Sequence, residues 1–524
     1  MSFVPRWPCD EGVLRSLFAP GRGDAATKRW VLAAAILGSS LAFIDGTVVN
    51  VALPVLQESL GASAADAQWV VESYALCLSS LILVGGVCGD RFGRRRVFLC
   101  GTALFAVASI ACGLASDVRQ LVVARAVQGV GGALLVPGSL SLIGATFSAA
   151  DRGRAIGTWS AFTPIATAVG PLAGGWLVEK LSWRAVFFIN LPLALAVIAI
   201  ALARVPESRD PDAPTLDLAG AALATLGLSG LTFGLIASGG RGFGDMRVAA
   251  PLAVGACALV AFPIVQRWKS HPMVPPSLFR SRTFTGANLL TLLLYAALIG
   301  VTYFLPFVLI QGQAYSPTEA GAAFLPFIVI LFALSRWSGG LVDRIGPRGP
   351  LIVGPLVAAL GIALLALPGP GARYWTGYFP GIAALGLGMA ITIAPLTTTV
   401  MNSVDPKRQG LASGVNNAVA RVAGLLAIAV LGLAAGAAFN RTLDRRLERS
   451  DVSAAARAIP RIERAKLGAA RPPNGLPEKD SRAVATAIAS SLIASFRVVA
   501  LLCAGLALLA SLTSVWLLGN ARSP

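Results

Sequence analysis

Charge is what this sequence has least of. Of its 524 residues only 13% are charged and 56% are hydrophobic, with a mean hydropathy of +0.73. A water-soluble domain carries about 25% charged residues, so a soluble core of this size is excluded. Histidine is nearly missing. His271, in a Pro-rich loop, is the single copy, which excludes a histidine proton relay or a histidine-built zinc site, and no metal or cofactor is expected. The seven cysteines include no C-x-x-C pair: Cys9 lies in the N-terminal tail and the other six lie in or beside apolar segments. They read as packing residues, not as a disulfide frame. A Walker A string is missing too, so ATP-driven transport has no phosphate loop. The glycine strings Gly129-Val130-Gly131-Gly132 and Gly386-Leu387-Gly388 follow no strand and fall inside apolar segments, where helix packing explains them. No nucleophile–base grouping is readable, so an enzyme is not expected.

Long apolar runs, by contrast, fill the chain. Fourteen stretches read as spans, near 30–54, 68–88, 97–115, 121–147, 155–178, 184–203, 217–239, 248–266, 284–310, 320–341, 350–367, 376–400, 411–438 and 484–518. Segments this apolar satisfy their backbone polar groups in a bilayer only as helices. The first 29 residues are polar and broken by Gly and Pro, with no short apolar core before a cleavage site, so the first span is expected to be retained.

The net charge of +18 does not point to nucleic acid, because the basic residues sit in short loops between spans and form no stripe. On one face, together with both tails, they number 22; the short loops of the other face hold six. That asymmetry places both termini in the cytoplasm. The segment 439–483 runs against it, with 11 basic residues on the face where helix parity puts it, outside. Parity is followed here, and the segment is expected to form one or two amphipathic helices at the outer surface, interrupted at Pro472-Pro473.

The chain also repeats. Asp90-Arg91-Phe92-Gly93-Arg94-Arg95 returns as Asp343-Arg344-Ile345-Gly346-Pro347-Arg348, and Gly153-Arg154-Ala155-Ile156-Gly157 as Gly410-Leu411-Ala412-Ser413-Gly414. Two motifs at nearly one offset imply two parallel six-helix halves related by an axis along the membrane normal. The expected organisation is a cytoplasmic tail (1–29), an N-terminal half (30–204), an inserted pair of helices with flanking loops (205–283), a C-terminal half (284–518, containing the outer segment 439–483) and a cytoplasmic tail (519–524).

The acids embedded in the spans are Asp45 and Glu72. Asp45 lies about 22 Å along the first helix at 1.5 Å per residue, and Glu72 lies a few residues into the second. Charges at such depths line pathways more often than they decorate helices, although the shallower Glu72 is also compatible with a solvated place. Arg125, a few residues into the fourth span, is a partner for either acid or a snorkelling side chain. Arg421 is deeper in its span, and no acid lies in the spans of its own half, so it faces a hydrated cavity or an anionic group. In the loop, Asp90 can bridge arginines and a neighbouring helix end as a latch that opens during a cycle.

Four motifs in order carry a family resemblance: Leu41 to Pro54 with Asp45 and Asn50 inside, Gly89 to Arg96, Arg125-Ala126-Val127-Gln128-Gly129, and Gly170-Pro171-Leu172-Ala173-Gly174-Gly175. The chain resembles the major facilitator superfamily, and within it the fourteen-spanning drug:proton antiporters of the EmrB/QacA type, over nearly all of 30–518. The resemblance implies an all-α polytopic fold with two six-helix halves and two inserted central helices. It implies a proton-coupled exporter of hydrophobic, cationic compounds in the plasma membrane, whose partners are an amphiphilic small molecule, protons and the bilayer, with a periplasmic adaptor where the host has an outer membrane. It also implies a coupling or substrate role for Asp45, with Glu72 and Arg125 beside it. Cavity or gating roles fall to Asn50, Gln128, Gly170, Pro171 and Arg421, and a cytoplasmic latch to Asp90, Arg91, Gly93, Arg94, Asp343 and Arg344. Two other functions stay open at this point: export of a neutral or anionic amphiphile, for which Arg421 is the attractive feature, and a receptor or scaffold that does not transport.

Overall fold

The computed structural model describes residues 24–210, 217–270, 272–339, 341, 345–405, 409–450 and 452–517. His271, Asp343 and Arg344 lie outside the described residues, as do Cys9 and the side chains of Gly153-Arg154. Each of the fourteen apolar runs is helical: α1 (Ala25–Ser59), α2 (Ala64–Phe92), α3 (Arg94–Leu114), α4 (Val118–Thr146), α5 (Ala149–Lys180), α6 (Asn190–Arg204), α7 (Leu218–Arg241), α8 (Met246–Trp268), α9 (Arg282–Phe307), α10 (Leu325–Gly339, after a short turn Pro317–Ala322), α11 (Arg348–Leu365), α12 (Phe379–Asn402), α13 (Gln409–Arg449) and α14 (Glu478–Leu517). Among the described residues, 13 helices are long and apolar enough to cross a membrane, and α5 stands in the remaining place. Large apolar side chains on the perimeter, such as Val107, Val123, Leu195, Val254 and Leu509, are exposed. In a bilayer these meet acyl chains, so they cost nothing there.

Polar residues between the apolar runs start the helices. Asp24 accepts from the Thr27 amide, Ser63 and Asp66 form a capping box for α2, Asp117 accepts from the amides of Arg119 and Gln120, and Ser281 accepts from that of Phe284. Each satisfies amides that a helix start leaves without a partner. The start of α3 differs, because Gly93 offers no side chain.

The repeat is visible in the packing. α1 packs on α4, α5 and α6, and α9 packs on α12, α13 and α14; α4 packs on α2 and α3 as α12 packs on α10 and α11. The two glycine strings serve these contacts. A Cβ at Gly129 would press on the Tyr74 carbonyl, at Gly131 on the backbone of Phe105, and at Gly388 on Gly354 and Ala358. α7 and α8 pack on each other, and α7 sits against α2 and α13 at the seam of the halves. The inserted pair therefore leaves the two-fold arrangement of the halves intact.

The face holding the start of α1 and the Asp90 loop is called the Asp90 face; the other is the Glu58 face. The segment 439–483 is at the Glu58 face, where the Ala64 amide donates to the Ala465 carbonyl (2.8 Å), Gln57 donates to the Lys466 carbonyl (2.9 Å) and Arg471 pairs with Glu58 (2.9 Å). Among the described residues, the expected amphipathic surface helices are not there. α13 and α14 run straight on, 41 and 40 residues long and so about 60 Å each, and only short turns at Ala454–Arg457, Arg461–Arg464 and Leu467–Ala469 join them. The physical reason is the apolar pattern, which continues past the membrane: Phe439, Leu443 and Leu447 of α13 and Val484, Ala487 and Ile488 of α14 are buried, and burying that stripe favours a helix pair over surface helices.

Candidate functional site

A cavity of about 360 Å³ lies between the halves, walled by α1, α2, α4, α5, α9, α10 and α13. Its wall is mostly aromatic and aliphatic, including Phe43, Tyr74, Phe324 and Phe327, with the polar groups of Thr47, Asn50, Ser79, Tyr295, Thr302 and Tyr303 set among them. Arg125 and Arg421 are its charged lining residues among those described. The Asn50 side-chain oxygen is buried and has no hydrogen-bond donor.

Beside the cavity, within the N-terminal half, four helices meet around Asp45, which is 0% exposed. Arg125 of α4 approaches its carboxylate at 2.5 Å, Gln128 donates to it at 2.9 Å and Asn190 of α6 at 3.0 Å. Ser109 of α3 accepts from both amides, at 2.7 and 3.2 Å. Arg125 also donates to the carbonyls of Val70 (3.1 Å) and of the Gln128 side chain (2.7 Å), and lies 4.3 Å over the Tyr74 ring. Arg125 is 1% exposed, so it is a buried partner and does not snorkel. Every charge in this cluster is met by an opposite charge or a dipole, the condition for keeping an ion pair inside a membrane. Sequence reading offered Arg125 to either acid; Asp45 is its partner. Ser109 and Asn190 escaped that reading, because neither stands in a recognisable motif.

Glu72 presents the opposite case. It is 0% exposed, and neither carboxyl oxygen has a hydrogen-bond donor. The solvated place compatible with its shallow position is therefore excluded. α2 packs against α7 and α13, and depth along a packed helix does not by itself give access to water. Tyr303 of α9 is within electrostatic reach of it.

Gly170 and Pro171 lie where α5 meets both α1 and the C-terminal half. A Cβ on Gly170 would collide with Thr47, Gly174 leaves room for Val48, and Gly175 and Gly321 allow contact between α5 and the Pro317–Ala322 turn. Pro171 lines the cavity. These contacts are at the Glu58 face, as is the bond from the Thr318 amide to Glu179 (3.3 Å). One apolar core runs through the C-terminal half and takes in α1 from Ile44 to Leu56, whereas Val31, Ala34 and Leu41 belong to a separate core of the N-terminal half. The halves are thus sealed together at the Glu58 face.

At the Asp90 face, Asp90 pairs with Arg94 (2.8 Å) within its own loop, and Arg91 is exposed. The rest of the loop is strapped to the segment after α6: the Arg94 amide donates to the Ser208 carbonyl (2.8 Å), and the Asp210 amide to the Asp90 carbonyl (2.9 Å). Glu207 accepts from the amides of Arg95 (3.1 Å) and Arg96 (3.2 Å). It therefore supplies, from 111 residues away, the cap that α3 lacks. Gly93 has φ +112°, and a Cβ there would meet the Glu207 carboxylate at 2.9 Å, so the glycine serves both the turn and the cap. Sequence reading did not find Glu207, since a long-range cap leaves no local pattern.

Comparison with known proteins agrees with this architecture. Residues 35–428 match the family model of the Major Facilitator Superfamily. The chain is 33% identical over 493 residues to the tetracenomycin C resistance and export protein of Streptomyces glaucescens, covering 93% of this chain and 90% of that protein. It is 36% identical to the puromycin resistance protein pur8 of Streptomyces alboniger over 78% of this chain and 82% of the relative. Among solved structures, an inward-facing, unoccupied bacterial homolog of the human lysosomal transporter Spinster superposes with a TM-score of 0.63 at 20% identity, over 94% of this chain and 98% of that one, which shows the shared fold. The repeated bundle, the cavity between its halves and these matches identify the chain as a member of the major facilitator superfamily.

Proposed function

We propose that this transporter is a proton-coupled exporter of amphiphilic, drug-like compounds, working by alternating access in the plasma membrane with both termini in the cytoplasm. The observation that carries the reading is the contrast beside the cavity between an acid fully engaged by donors, Asp45, and a buried acid with none, Glu72. An ionised carboxylate without a partner costs several kcal/mol in such a place, so Glu72 sits here as the neutral acid and holds the proton. The sequence alone gave the coupling role to Asp45. We assign it instead to Glu72, because a proton on either Asp45 oxygen would displace at least one of its three donors and weaken its pair with Arg125, whereas at Glu72 it displaces none. Export is supported by relatives named for resistance and export, and amphiphilic cargo by the aromatic and aliphatic wall.

With the halves sealed at the Glu58 face, the cavity belongs to the cytoplasmic side in this conformation. Rocking the halves about the α2–α13 and α5–α10 contacts would open that seal and bring water to Glu72, letting it exchange its proton. The test is accumulation in proteoliposomes of a panel of anionic, neutral and cationic fluorescent amphiphiles, with a pH gradient as the only driving force. The parent is expected to concentrate at least one probe against its gradient. Glu72→Gln is expected to equilibrate that probe without concentrating it. Uphill transport by Glu72→Gln equal to the parent's would remove Glu72 from the coupling path.

A further inference from the structure

The charge balance of the cavity wall points to a class of cargo. Asp45 neutralises Arg125, so the charge the wall carries without a counterion, among the described residues, is that of Arg421. This side chain belongs to α13 of the C-terminal half, twelve residues after the helix begins. No described hydrogen bond or ion pair reaches its guanidinium, no described carboxylate lines the cavity with it, and Tyr74, stacked on Arg125, is within electrostatic range of it. Arg421 is half-buried and lines the cavity, and a guanidinium held at mid-membrane without an ionic partner is expensive. Such a group is retained where something else supplies the negative charge, and a planar five-donor fork matches a carboxylate or another flat oxyanion in two parallel bonds.

Resting on the transport function proposed above, we infer that Arg421 is the specificity-determining residue of this cavity and that the preferred cargo is an amphiphile carrying one acidic group. The acid would dock on the Arg421 fork. The apolar body would lie along the aromatic wall formed by Phe43, Phe324 and Phe327, and Asn50 and Tyr303 offer further polar contacts beside it. A cation gains nothing comparable, because the wall presents it with a positive field and no described acid. The choice has an energetic consequence for the cycle. Export of an anion against entry of a proton moves charge inward in both legs, so the membrane potential drives such an exchange twice over, at about 2.3 kcal/mol per charge per 100 mV. Exchange of a monovalent cation for a proton is electroneutral.

Three fluorescent probes of one shape separate the cases: pyrenebutyrate, its uncharged amide and the corresponding trimethylammonium compound. Their binding to the purified full-length transporter in detergent is read by fluorescence anisotropy at neutral pH without any gradient. The expected result is binding of the acid about tenfold tighter than the amide, as a charged hydrogen-bonding pair supports, with the cation weakest. Arg421→Gln is expected to remove that tenfold preference and leave amide affinity unchanged, and Arg421→Lys to keep part of it, which guards against a folding defect. Equal binding of acid and amide by the parent, or equal losses for both in Arg421→Gln, would overturn the assignment. Because the assay contains no gradient, a retained acid preference alongside failed pH-driven accumulation would sink the proton coupling and leave the role of Arg421 standing. Proton-driven export of the amide or cation in preference to the acid would do the reverse.

Discussion

Asp45 and Glu72 are both buried acids in one half of the molecule, yet their surroundings set them to different tasks. The Asp45 carboxylate is the acceptor of Arg125, Gln128 and Asn190, and removing its charge leaves Arg125 inside the bundle with dipoles alone. Asp45→Asn is expected to lower the stability of the purified transporter by about 3 to 5 kcal/mol, the cost of breaking a buried pair. Glu72→Gln removes no described bond and should change stability by less than about 1 kcal/mol. Thermal unfolding of the two variants in one detergent checks both figures. A Glu72→Gln penalty matching that of Asp45→Asn would mean that Glu72 has a partner after all. The embedded position of both acids was legible in the sequence. Arg125 was legible as a candidate partner, but the rest of the Asp45 shell was not, because Ser109 and Asn190 are ordinary polar residues whose convergence depends on how four helices pack.

Among the helices, the Asp90 loop shows how an element depends on distant chain. Asp90 and Arg94 pair four residues apart, a contact worth only about 0.3 to 0.5 kcal/mol at a surface, so the Glu207 strap is what orders the loop. Glu207→Gln is expected to raise hydrogen exchange at the Arg95 and Arg96 amides by about tenfold, in line with the roughly 1 kcal/mol of a helix cap, while Asp90→Asn leaves those amides protected. Unchanged exchange in Glu207→Gln would contradict the cap. At the opposite face, the turn region between α13 and α14 is fastened through carboxylates. Burial tends to raise the Glu463 carboxyl, but bonds from Lys466 (2.7 Å) and the Arg471 amide (3.1 Å) outweigh it and hold the carboxyl below its ordinary range. A depressed acid contributes stability that is present above its ordinary value of 4.5 and is lost as the pH falls through the lower, folded-state value. Limited proteolysis of 460–473 should therefore be slow at pH 5 to 8 and quicken only in stronger acid. Rapid cleavage at pH 6 would exclude this fastening. The helices themselves were legible from runs of apolar residues, and so were the duplicated halves, because the Asp-Arg-x-Gly loop recurs. The long extensions of α13 and α14 at the Glu58 face were hidden by arginines that read as surface, although Phe439, Leu443 and Leu447 carry the buried stripe between them.

At the scale of the whole molecule, the repeat is kept in packing but not in charge. The main contacts of the N-terminal half recur in the C-terminal half, α1 on α4, α5 and α6 as α9 on α12, α13 and α14, yet the fully buried acids Asp45 and Glu72 belong to the first and Arg421 to the second. On the roles proposed for Glu72 and Arg421, a cavity between unlike halves would separate the proton group from the cargo group and let one rocking motion serve both. The central claim is that Glu72 carries the coupling proton, and proton movement itself tests it most directly. Proteoliposomes loaded with pyranine, given an outward or inward step of a transported probe at equal pH on both sides, report protons moved in exchange. The parent is expected to move protons opposite to the probe, so that probe entry raises the internal pH and probe exit lowers it, and Glu72→Gln is expected to carry the same probe with no pH change. A pH shift per probe in Glu72→Gln equal to the parent's would contradict the account.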